Sequence, residues 1–246
     1  MDSNRISPMR WAAIVVGVVL PTLVTYVYFY VLADSPPKLQ QTAYSVGKCL
    51  QFAFPLIWLL VFLRKPIREG GVQQDESKPS WSTSASIGFG IAMGFAVVAA
   101  MYAVLQWMPE ETVTKLTESA DEKVAGFGLS SPWLFAGLAV FYALFHSFLE
   151  EYYYRWFVFA ELRRLVNFVP AMLISGFAFM GHHVLVLAQY FGMTNPLTIF
   201  LSLCIAVGGM IWAWQYERSR SLIGPWLSHL IVDAGIFAIG YQILFS

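Results

Sequence analysis

The chain has 246 residues, of which 58% are hydrophobic and 12% charged, and its formal net charge is zero. Soluble domains carry about 25% charged residues, so half that value, with several long apolar runs, places the protein in the membrane class. No polybasic block is present, which excludes nucleic acid as a partner. The two cysteines, Cys49 and Cys204, lie in apolar runs and read as small buried hydrophobes rather than as a disulfide or a metal pair.

Seven stretches are long enough to cross a bilayer, where about 20 apolar residues are needed. They lie near Trp11–Leu32, Tyr44–Leu63, Ser84–Trp107, Trp133–Phe159, Val169–Tyr190, Leu197–Tyr216 and Ile223–Phe245. The first follows Arg5 and Arg10 and is longer than the roughly 7–15-residue core of a secretory signal, so it reads as a retained span with Pro21 as a kink site. The fourth has no breaker before Leu165, which gives roughly 50 Å of helix at the α-helical rise. Its end is expected to project beyond the membrane, with Glu161, Arg163 and Arg164 in water. The fold class is all-α, a polytopic bundle of seven to eight transmembrane helices. Residues 1–131 hold helices and loops without a motif, and 132–246 hold the core that carries the motifs. No internal repeat is visible.

Two connectors stand out. Gly70–Ser82 is rich in Gly, Gln, Asp, Ser, Lys and Pro and reads as a flexible cytoplasmic linker. Pro109–Ser131 is acidic and reads as a solvated loop with a short helix, and Glu111–Val124 is the place for a further helix. Loop charge sets orientation. The tail (Arg5, Arg10), the second loop (Arg64, Lys65, Arg68, Lys78), the end of the fourth helix (Arg163, Arg164) and the sixth loop (Arg218, Arg220) put ten basic residues on one side. The other side has Lys38, Lys115 and Lys123, while Lys48 and Arg155 fall within spans. The expectation is a multi-pass protein with a cytoplasmic N-terminus and an outside C-terminus.

Charges inside such spans are expensive, about 2.5–3.5 kcal/mol each at mid-membrane on insertion scales. Four groups bear that cost: Glu150, Glu151 and Arg155; His182 and His183; His229 and Asp233; and His146, one turn before Glu150. Glu151 and Arg155 stand at i, i+4 and can pair. Glu150 is about 100° round the helix from Glu151, which leaves it for another task. His229 and Asp233, also i, i+4, can face one cavity. His182 and His183 are adjacent and are not expected to share a narrow site without backbone irregularity. Each group alone reads as a structural pair or a helix–helix hydrogen bond, but three helices carrying such groups together point to chemistry.

A glutamate and a histidine facing one water can share general-base work, and a second imidazole can donate to a developing oxyanion. Those are the parts of an amide hydrolase without a Ser or Cys nucleophile. Ser147, Ser175 and Ser228 lack a nucleophile-elbow pattern. Two other readings stay open. One is a metal-dependent hydrolase with Glu150, His183, His229 and Asp233 as ligands, although His-Glu-x-x-His is missing. The other is a non-enzymatic binding or immunity protein, or a proton-coupled transporter with a buried carboxylate relay.

The order Glu-Glu-x-x-x-Arg (Glu150, Glu151, Arg155), Phe-x-x-x-His (Phe179, His183) and His-x-x-x-Asn/Asp (His229, Asp233) resembles the CPBP family. This group includes the type II CAAX prenyl endopeptidase, the Ras-converting enzyme, and bacteriocin-processing and abortive-infection relatives. The resemblance covers roughly Trp133 to Ser246. It implies an intramembrane glutamate-dependent endopeptidase that needs no cofactor or metal and acts on a membrane-associated peptide or protein, with a prenylated CAAX protein as the family's best-known substrate. By position, Glu150 with His183 would activate water, and His229 would help stabilise the oxyanion. Asp233 stands where the prenyl protease has asparagine, and it can donate only if protonated or else orients His229. Glu151, Arg155 and the extra His182 would be supporting groups. The membrane would be the plasma (inner) membrane in a bacterium and the endoplasmic reticulum in a eukaryote.

Overall fold

The computed structural model describes residues 3–72, 81–126 and 131–245. Among them there is no strand. Seven helices are long and apolar enough to cross a membrane: Pro8–Val31 (α1), Pro37–Phe62 (α2), Thr83–Trp107 (α3), Pro132–Arg163 (α5), Phe168–Phe191 (α6), Pro196–Ser219 (α7) and Ile223–Phe245 (α8). Each coincides with one expected stretch to within several residues. Glu110–Gly126 (α4) adds a polar helix in the acidic connector, with Glu110 and Glu111 in its first turn, where they favour the positive end of the helix dipole. The protein is thus all-α and polytopic.

Local chemistry sets several of these boundaries. Ser82 caps α3 by accepting from the Ala85 N–H at 3.1 Å. Asn195 accepts from the Leu197 N–H at 2.9 Å ahead of Pro196, the first residue of α7. Both are the small polar acceptors that helix starts prefer. Gly192, at φ 90°, ends α6 in a conformation that favours glycine. Both α1 and α2 close in π-helical turns, Val27–Val31 and Trp58–Phe62, with i→i+5 bonds from Leu32 to Val27 and from Leu63 to Trp58.

The chain divides into two compact units, one built from Met1–Ser80 and Tyr152–Arg220, the other from Trp81–Glu151 and Ser221–Ser246. In the first, the segment Tyr152–Leu162 forms the centre. Tyr153, Tyr154, Phe157, Val158, Phe159, Ala160 and Leu162 are all buried, as befits a helix apolar on every side. Small residues let its neighbours approach. Gly17 faces Phe157 and Val158, Gly181 faces Thr22, and Gly176 lies against Met210 and the Ala206 carbonyl. Lipid tails are as apolar as leucine, so such close contact, rather than hydrophobicity, drives helix association in a bilayer.

The charged end of α5 is largely turned into the protein, Glu161 fully and Arg163 and Arg164 in part. Glu161 is 3% exposed, bonded to Arg10 and to Arg164 at 2.7 Å. Arg163 grips the Glu217 carboxylate with both Nε and Nη2. Residues that read as a solvated helix end are turned inward because α1 and α7 supply charge partners. Arg164 also donates to the carbonyls of Glu69 and Gly71 at 2.9 and 2.8 Å. Burial pulls the Arg164 guanidinium below its ordinary pKa, and the Glu161 carboxylate opposes that pull.

The expected flexible linker therefore starts as an anchored segment. Gly70 lies beneath the Trp156 ring and Gly71, at φ 70°, beside the Tyr216 hydroxyl. Residues 73–80 of that linker lie outside the described residues. Cys49 and Cys204 are free and exposed, which corrects the expectation of burial. An apolar run in a membrane protein has a lipid-facing side, and residues on that side are exposed without being polar.

In the second unit, α3 packs along α8. A Cβ on Gly94 would stand 2.8 Å from the Ile231 Cβ and 3.1 Å from the Ser228 carbonyl, and one on Gly235 would meet Val98. Phe135 of α5 is ringed by Phe237, Tyr241 and Phe245 of α8. Gly94→Val is expected to destabilise the protein by about 1–3 kcal/mol, since overpacked contacts of this kind must shift. Equilibrium unfolding in detergent measures it, and an unchanged midpoint would remove Gly94 as the contact that sets this spacing.

Candidate active site

The two adjacent carboxylates ride on a single α-helical turn, Ser147–Glu151, flanked by π-helical stretches Tyr142–His146 and Tyr152–Phe159. Such i→i+5 insertions are rare and concentrate at functional sites. They also upset any spacing argument based on 3.6 residues per turn, which is the argument the sequence invites.

Within the second unit, Glu150, Glu151, His229 and Asp233 converge. Glu150 is 1% exposed, Glu151 0% and His229 4%. The His229 Nδ1 lies 3.0 Å from Glu151 Oε1, and its N–H donates to that carboxylate. The opposite ring nitrogen, Nε2, lies 3.8 Å from Glu150 Oε2 and 3.6 Å from Asp233 Oδ1. His146 adds a second imidazole, with Nε2 3.7 Å from Glu150 Oε1. The i, i+4 spacing of His229 and Asp233 brings them together as expected.

Glu150 approaches His229, and Glu151 reaches that histidine as well, although the Cβ atoms of the two glutamates diverge. An imidazole offers nitrogens on two edges, and each glutamate has enough length to approach one of them. Three acids and two imidazoles thus stand together in an apolar setting where isolated charge is costly. A proton on Nδ1 held by Glu151 leaves Nε2 as the nitrogen turned towards the other two acids.

The first unit places the remaining motif residues. Arg155 is fully buried, with its guanidinium 5.0 Å from the Phe179 ring centre, 5.5 Å from Trp212 and 6.0 Å from Tyr154. Aromatic faces attract a cation at such distances, most strongly when water is excluded. Phe179, the first residue of the Phe-x-x-x-His motif, therefore serves twice. Its ring faces Arg155, and its carbonyl accepts the His183 Nδ1–H at 2.8 Å, which makes Nε2 the lone-pair nitrogen of a neutral His183. His182 is buried, with Nδ1 3.0 Å from the Tyr154 hydroxyl. The two adjacent imidazoles lie 4.0 Å apart between ring centres on an uninterrupted helix, so side-chain rotation alone brings them side by side.

Tyr154 and Trp212 carry no motif and were missed by sequence reasoning. Their signal was available: a Tyr O–H or Trp N–H in an apolar span needs a partner. Of the candidate serines, Ser147 donates to the Ala143 carbonyl and Ser175 to the Tyr154 carbonyl at 3.3 Å. Ser228 is buried.

A family model described as Type II CAAX prenyl endopeptidase Rce1-like matches residues 132–235. This stretch is similar to the Rce1-like family. The match opens at the first residue of α5 and takes in every motif: Glu150, Glu151, Arg155, Phe179, His183, His229 and Asp233. Comparisons with curated proteins and with solved structures return no match. The Rce1-like family is one of CAAX-type intramembrane proteases, and the similarity supports a hydrolase of that class. Its seven apolar helices make it an integral, multi-pass membrane protein.

Proposed function

We propose that the protein is a glutamate-dependent, metal-independent endopeptidase that hydrolyses a peptide bond of a membrane-associated protein or peptide. The observation that carries this reading is the buried cluster in which Glu150, Glu151 and Asp233 surround His229. Glu150 takes a proton from water as that water attacks the scissile carbonyl. Glu151 holds a doubly protonated His229 ring through Nδ1–H, and its Nε2–H, aided by a protonated Asp233, donates to the oxyanion that forms. The proton on Glu150 then passes to the leaving amine.

His183 enters this reading through motif order, as a second imidazole sharing the base role. Phe179 supports that role because its carbonyl sets the His183 tautomer. Arg155 and His182 are supporting groups, the first held by aromatic faces and the second by Tyr154. A prenylated CAAX protein is the substrate in a host that prenylates, and another membrane protein or peptide is the substrate elsewhere. The loop charges favour a cytoplasmic N-terminus.

Glu150→Gln in reconstituted protein is expected to lower kcat by about 10²–10⁴-fold, the usual worth of a positioned base. Cleavage of a peptide library, with and without prenyl groups, measures it. Activity should survive chelators in the unmodified protein. Full cleavage by the variant, or abolition by chelation with restoration by added metal, would overturn the reading.

A further inference from the structure

The π-helical turn Tyr142–His146 stands directly ahead of the carboxylate turn, and it closes with the Ser147 N–H on the Tyr142 carbonyl, an i→i+5 bond. Where a helix slips register in this way its carbonyls need other donors, and in an apolar medium none can be left without one. Two side chains supply them here. Ser147 Oγ donates to the Ala143 carbonyl. The second donor comes from another helix: Trp226 Nε1–H reaches the Leu144 carbonyl at 3.1 Å.

Trp226 sits in the first turn of α8, three residues before His229, and Leu144 lies six residues before Glu150. The indole also meets the Phe148 ring edge-on, with centres 5.7 Å apart and planes at 83°. The hydrogen bond holds α5 within the π turn, and the ring contact holds it just beyond. Together they oppose rotation of α8 about its axis and sliding of α8 along α5. Both movements would change the approach of His229 to Glu151 and Glu150.

We propose that Trp226 is a positioning residue for the reaction, an indole clamp that bonds a carbonyl within the π turn and so holds the imidazole-bearing helix in register with the carboxylate-bearing one. This rests on the hydrolytic reading above. The π turn and the tryptophan then act together: the carbonyl at Leu144 accepts the indole N–H, and that bond fixes the neighbouring helix. The indole acts through His229.

The test uses the full chain in nanodiscs with two replacements at position 226: Trp226→Phe, and an indole analogue with sulfur in place of the N–H. The analogue keeps the ring and its contact with Phe148 and removes only the donor, so folding is preserved. Two quantities are read: the ¹⁵N resonances of the His229 imidazole, and kcat and KM for a fluorogenic prenylated CAAX peptide. The expected result is a shifted pair of His229 resonances, with kcat about 10–100-fold lower at unchanged KM, the scale of loss that a misplacement near 1 Å produces. Unchanged His229 resonances in the analogue overturn the proposal, whatever the activity does. So does a fall in kcat that is matched by a fall in thermal stability without any change at His229. The glutamate reading fails separately, through cleavage by Glu150→Gln, and that result leaves the resonance measurement to decide the clamp.

Discussion

His229→Ala is expected to lower kcat by about 10²–10³-fold, the range seen when an oxyanion donor is removed. The loss should fall on kcat rather than KM, because the imidazole is needed for charge that develops during reaction. The geometry makes a sharper demand on a pair of variants. Glu151 touches the chemistry through His229, by the 3.0 Å contact at Nδ1. Once His229 is gone, Glu151→Gln should add little. A double-mutant cycle on kcat should therefore show strong non-additivity. Additive losses would mean that Glu151 acts by a route other than the imidazole, and the proposed division of labour between the two glutamates would fall.

Glu161→Ala is expected to cost about 3–5 kcal/mol of stability, the price of stranding a buried charge by removing its partner. Two cations depend on that one carboxylate. The side chains of Arg10 and Arg164 are 11% and 21% exposed, and that of Glu161 is 4% exposed. Arg164 also ties down the Glu69–Gly71 segment, so its release should expose that segment to protease. Limited proteolysis and thermal unfolding in detergent read the two effects. Replacing Arg10, Glu161 and Arg164 together by Met should recover much of the loss in unfolding temperature, because apolar residues can replace a buried ionic triad. A stable, protease-resistant Glu161→Ala would show that the cluster is an ornament of the fold and not one of its ties.

Much of the site could be read in the residues themselves. An aspartate four residues after a histidine shares its helix face whatever the fold, and His229 and Asp233 do so. Two glutamates in an apolar span announce themselves by their desolvation cost. That Glu150 and Glu151 would both reach one histidine was not legible, because helix spacing places Cβ atoms, whereas the histidine, on α8, arrives from another part of the chain. The solvated end of α5 failed for a related reason. Arg163, Arg164 and Glu161 look exposed until α1 brings Arg10 and α7 brings Glu217. Cys49 and Cys204 were read as buried because composition cannot separate a core-facing side from a lipid-facing one.

Seven spans, an all-α chain and the order of the three motifs follow from amino-acid order alone. They rest on local quantities: the length of apolar runs, the cost of charge in hydrocarbon and the spacing of side chains on one helix. Which carboxylate holds which nitrogen of His229, the aromatic faces around Arg155, the π turns that bracket Glu150 and Glu151, and the indole that reaches Leu144 were settled only by packing. Each depends on atoms brought together from distant parts of the chain, and local periodicity carries no information about such meetings.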